Sequence, residues 1–171
     1  MKPFLASFTS PQRGILWNVF VLPGMRSEES DLDTLKKISS SLPGFGQVFP
    51  LSRISSFEHL AWAAYSTIAA GEGGFAHYAQ PSLEFLCRVA GNSQWQMARN
   101  HIGLSSSDSE VVLVWISDDP SFTSMNFLSL SKKWGLVPKK MEWGKSIRLP
   151  LDWCYSISEW GMEQSALTDG R

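Results

Sequence analysis

The stretch Val111-Val-Leu-Val-Trp-Ile116 carries no polar side chain. It is too short to be the core of a helix and too β-branched to favour one, so it reads as an interior strand. Two helix-like segments precede it: Leu83 to Ala90, ended by Gly91, and a second running to His101, followed by Gly103 and a polar loop. Helix, helix, buried strand is a compact unit, and the rest of the chain is organised around it.

Upstream, Gly14 to Leu22 is rich in β-branched and aromatic residues and predicts a buried strand stopped by Pro23-Gly24. Ser30 or Asp31 is placed to cap a short helix to Ser41, with Leu35, Ile38 and Leu42 at helical spacing before Pro43-Gly44. Gln47-Val-Phe-Pro-Leu51 predicts a shorter strand, Pro50 marking its end or a sheet edge. The clearest helix spans 57–70, capped by Ser55 or Ser56, with Phe57, Leu60, Ala64 and Ile68 on one stripe and Trp62 off it. Glu58 is nearly its only charge, which predicts cover on more than one side. Gly71, Gly73 and Gly74 predict its end and a loop.

In the helix pair spanning 82–102, Ser93-Gln-Trp-Gln96 has the form of a capping box, and Gly103 is placed as the glycine just past the C-terminus. Trp95, Ala98 and Ile102 share a face, so Trp95 reads as core as readily as contact surface. After Asp118-Asp119-Pro120, residues 121–133 predict a loop entering a helix that Gly135 and Pro138 break. The fold class expected is α/β (α+β): a single domain over 1–164, a small mixed sheet packed with several helices, the central one at 57–70. A disordered polar tail is expected at 165–171.

Length and composition narrow the function. A chain of 171 residues, 43% apolar and 18% charged, suits one folded domain. Eight Trp and ten Phe are many for this length, which raises the chance that some rings serve a contact surface. A net charge of −1 argues against a generic polyanion binder. No apolar run reaches the roughly 20 residues of a membrane span, and Pro11, Gln12 and Arg13 interrupt any signal-peptide core, so a cytoplasmic protein without membrane contact is expected. Cys87 and Cys154 lack ligand-spaced neighbours and read as free thiols in a reducing compartment.

Chemistry is hard to find. His59, His77 and His101 stand alone, away from metal-ligand spacing. Gly71-Glu-Gly-Gly74 follows a helix and lacks the Lys-Ser/Thr of a phosphate loop, there is no Gly-x-Ser-x-Gly elbow, and neither Cys has a neighbouring base. No catalytic residue, metal site or cofactor is therefore expected. Between 121 and 160, six basic residues, among them Lys132, Lys133, Lys139 and Lys140, outnumber acidic ones by three, and Trp134, Trp143 and Trp153 lie among them. Lysines neutralise phosphates and rings stack on unpaired bases, so this region suits single-stranded nucleic acid, or is a solvated face over a Trp-containing core.

Glu84-Phe-Leu on an apolar helix, then Gly91-Asn-Ser-Gln-Trp-Gln-Met-Ala98, Ile102-Gly-Leu104 and the strand 111–116 form an ordered signature. It resembles the kinase-binding regulatory subunit of the KEOPS tRNA-modification complex, over about residues 14–117. The resemblance implies a protein that is not an enzyme, acting as a monomer or heterodimer. It would dock on the complex's small atypical protein kinase, support its ATPase activity, and grip the single-stranded 3′ CCA end of tRNA. The implied kinase-binding residues are Glu84, Phe85, Arg88, Gln94, Trp95 and Arg99; the RNA-binding candidates are Arg88, Arg99, Lys132, Lys133, Lys139 and Lys140. Many relatives place Arg where this chain has Ser93, a small aliphatic residue at Trp95 and an aliphatic one at Arg99. Two other classes remain open: a stand-alone single-stranded RNA-binding module, and a small enzyme whose site is assembled from residues distant in sequence.

Overall fold

A computed structural model describes residues 2–141 and the backbone of Ile147–Arg148. The expected features at Trp143, Trp153, Cys154 and 165–171 lie outside the described residues. The chain builds one sheet of six strands with five helices among the described residues, an α+β fold. The strands are β1 (Phe4–Thr9), β2 (Leu16–Met25), β3 (Phe45–Pro50), β4 (Glu110–Ser117), β5 (Val137–Pro138) and β6 (Ile147–Arg148). Their order is β3-β4-β2-β1-β6, with β5 on the end of β2; β6 pairs parallel with β1 and every other pairing is antiparallel.

The apolar run Val111–Ile116 is the core of β4, between β2 and β3. Its continuous apolarity has a direct cause. Val112, Val114 and Ile116 point into one hydrophobic core, and Val111, Leu113 and Trp115 into a second on the opposite face. On the first face pack α2 (Phe57–Gly73), α3 (Pro81–Ala90) and α4 (Trp95–Ile102). On the second pack α1 (Leu32–Ser39) and α5 (Ser124–Trp134). The result is three layers, with a mostly antiparallel sheet between two apolar cores.

Several sequence expectations change. Strand β1 was not anticipated, and β2 runs through Pro23-Gly24 instead of stopping there. The carbonyl of Pro23 accepts from the Lys139 N–H at 2.9 Å, so the missing proline donor faces the β5 side and costs no bond to β4. A side chain at Gly24 would meet the Val137 oxygen at 2.4 Å, which is why β5 can close on it. Helix α2 continues through Gly71 and Gly73, and ends at Gly74 with φ 75°. It is capped by Ser56 and buried on several faces, as its lack of charge predicts. Asp31, not Ser30, caps α1: its carboxylate accepts the Thr34 N–H at 2.8 Å, which lowers its pKa below the ordinary range. Pro50 ends β3 on an edge of the sheet.

Candidate functional site

The α3–Gly91–α4 hairpin is built from residues whose roles differ sharply from their even spacing in sequence. Pro81 opens α3 at a position where no intrahelical N–H is needed. Gly91 closes it at φ 68°, its N–H and that of Asn92 bonding back to the carbonyls of Arg88 and Cys87. The helix faces inward almost throughout. Phe85 is 0% exposed, edge-on to Phe49 with ring centroids 5.7 Å apart, and so ties α3 to β3.

Glu84 and Arg88 are also buried, at 2% and 8% exposure. Arg88 Nε and Nη2 each lie 3.0 Å from Glu84 Oε1, while Arg88 Nη1 donates to Ser66 Oγ of α2 at 2.9 Å. Glu84 Oε2 accepts the backbone N–H groups of His77 and Tyr78, both at 3.0 Å. One carboxylate thus fastens the 75–80 connection, its own helix and, through Arg88, helix α2. This is a pinned internal network, and Glu84, Phe85 and Arg88 are nearly wholly enclosed by the chain itself. Of the residues expected to contact a kinase, these three are buried in the free chain, as is Arg88 among those expected to contact RNA.

Helix α4 is different. Ala98 and Ile102 are buried, but Trp95 is 38% and Met97 55% exposed, with Gln94 and Arg99 on the surface. The capping box expected at Ser93 does not form, because Gln94 is the N-cap and makes no side-chain cap bond. Tyr78 takes its place: its hydroxyl donates to the Ser93 carbonyl at 2.6 Å and accepts the Trp95 N–H at 3.0 Å. No local pattern announces a cap that comes from 17 residues away. Gly103 is the C-cap itself, in extended conformation; a side chain there would meet the Arg99 carbonyl at 2.2 Å.

The remaining candidates scatter. Lys132 and Lys133 are exposed on α5, and Lys140 follows β5, all in the other helical layer or its edge. Lys139 is held by Glu110 at 2.6 Å. Trp134 is 2% exposed, and its indole N–H donates to the Asp31 carbonyl at 2.8 Å, so it packs the core and offers no stacking face. Arg99 and the α5 lysines therefore belong to opposite layers.

The histidines are placed structurally. His59 Nε2 lies 2.9 Å from the Val89 carbonyl, which ties α2 to α3 and puts the ring proton on Nε2. Among the described residues no three His, Cys, Asp or Glu side chains gather as a metal set. No described helix is long and apolar enough to cross a membrane. Cys87 is buried beside Glu84, and burial first, then that carboxylate, pushes its thiol pKa up to about 11. Thiolate is the reactive form, so at pH 8 Cys87 should resist iodoacetamide in the native protein and label in denaturant. Peptide mass spectrometry of native and denatured samples reads this directly, and rapid native labelling would contradict the burial.

Comparison with protein-family models and with curated proteins finds no match to this chain.

Proposed function

We propose that the protein is a non-catalytic docking subunit of a KEOPS-type tRNA-modification assembly, binding the small atypical kinase through α4. One observation carries the reading. A helix fastened to the core by Ala98, Ile102 and the Tyr78 cap leaves Trp95, Met97 and Arg99 exposed. An aromatic anchor ringed by polar groups on a rigid helix has the composition of an interface hot spot. The ordered signature from Glu84 to Ile116 supplies the choice of partner. The kinase contact is assigned to Gln94, Trp95 and Arg99, with Glu84, Phe85 and Arg88 as the support beneath them. The tRNA grip of the same reading falls to Lys132, Lys133 and Lys140, with Lys139 joining if it leaves Glu110.

The test is capture of the tRNA-modification kinase by the purified protein, followed by calorimetry. Arg99→Glu should weaken kinase binding by roughly tenfold, about 1.4 kcal/mol, without shifting the melting temperature. Unchanged affinity removes Arg99 from the interface. A failure to capture the kinase, with RNA still bound and steeply salt-dependent, would favour the stand-alone RNA-binding module instead.

A further inference from the structure

Trp95 and Arg99 do not stand on an open surface. They form one wall of a groove of about 470 Å³ that crosses the β3 edge of the sheet. Its apolar lining includes Val48 of β3 and Leu83 and Leu86 of α3. The opposite wall is the start of α1 and the turn before it, carrying Glu28, Asp31 and Asp33. Asp31 is engaged as the α1 cap, but Glu28 and Asp33 are exposed and have no ion-pair partner among the described residues; the same holds for Arg99. Of the other cations in the groove, Arg26 has its guanidinium occupied by the carbonyls of Ser30, Ser105 and Asp108, and Lys36 lies one turn along α1 from Asp33. The groove thus sets unpaired carboxylates on one wall against an unpaired guanidinium on the other, with an apolar floor between.

We infer that this groove receives a segment of the partner kinase whose apolar side chain rests on the floor beside Trp95, with a basic residue toward Glu28 and Asp33 and a carboxylate toward Arg99. The inference rests on the docking reading above and extends its contact surface from α4 across β3 to α1. Opposed charges across a rim set orientation and association rate more than raw affinity, so salt dependence is the sensitive readout.

The experiment is calorimetry and stopped-flow binding of the full chain to the kinase at two salt concentrations. The Glu28→Lys/Asp33→Lys variant, which replaces attraction by repulsion, should bind about tenfold more weakly, with a flatter salt response. The neutral Glu28→Gln/Asp33→Asn variant should lose about threefold. Circular dichroism melting confirms that both variants fold. If the unsubstituted protein binds the kinase and both variants bind within twofold at the same salt slope, the groove is overturned while docking through α4 stands. If the unsubstituted protein captures no kinase, both readings fall together.

Discussion

Replacing Glu84 with alanine is expected to cost about 3–5 kcal/mol of folding stability, among the largest losses any single polar substitution here should cause. The carboxylate is 2% exposed and holds both the Arg88 guanidinium and two backbone N–H groups. The substitution takes the carboxylate away from a buried guanidinium that donates to Ser66 Oγ and lies over the ring of Phe75, centroid 5.9 Å away. It also strands the amides of His77 and Tyr78, which no apolar substitute can satisfy. Arg88→Met should cost less, because those amides still compensate the carboxylate. The double variant Glu84→Leu/Arg88→Met should recover part of the loss but not all of it. Urea unfolding followed by circular dichroism gives the three values. A Glu84→Ala protein within 1 kcal/mol of the parent would show that the network contributes little.

Phe85→Ala and Trp95→Ala should fail in opposite ways. Phe85 is 0% exposed and packed on Phe45 and Phe49, so truncation should cost about 3–5 kcal/mol through the cavity it leaves. Trp95, 38% exposed on α4, should cost under about 1 kcal/mol of stability, and under the docking proposed above should lose about 2 kcal/mol of kinase affinity, roughly thirtyfold. Chemical denaturation and calorimetry on the two variants separate the effects. A stable Phe85→Ala protein that no longer binds the kinase would return Phe85 to the contact surface and overturn its assignment as support.

The central helix, the helix pair and the interior strand were legible in the residues. Glu84 and Arg88 read as contact residues; their four-residue spacing on an otherwise apolar helix is the one local signal of an ion pair, and nothing local says that the pair is buried. Ser30 or Asp31, and Ser55 or Ser56, announced helix starts because capping is a short-range interaction; the structure uses Asp31 and Ser56. Trp95 was ambiguous for a definable reason: it shares a helical face with Ala98 and Ile102, and periodicity alone cannot tell where the covering layer stops. Trp134 was open in the same way, between a stacking surface beside lysines and a ring in a core beneath a solvated lysine face; the second holds, with its indole buried against α1 and hydrogen-bonded to Asp31.

The run Val111–Ile116 by itself determined an interior strand, since a stretch with no polar side chain has no face to offer water. Which strands flank it, and that alternate residues serve two separate cores, only the tertiary structure decided. Strand pairing and layer cover depend on contacts between segments far apart in the chain, such as β2 at 16–25 and α5 at 124–134. The same reason explains the cap that Tyr78 provides, the continuation of β2 through Pro23, and the groove that brings Asp33 across from Arg99. Local sequence sets propensity and pattern; the partner of each group is chosen by packing.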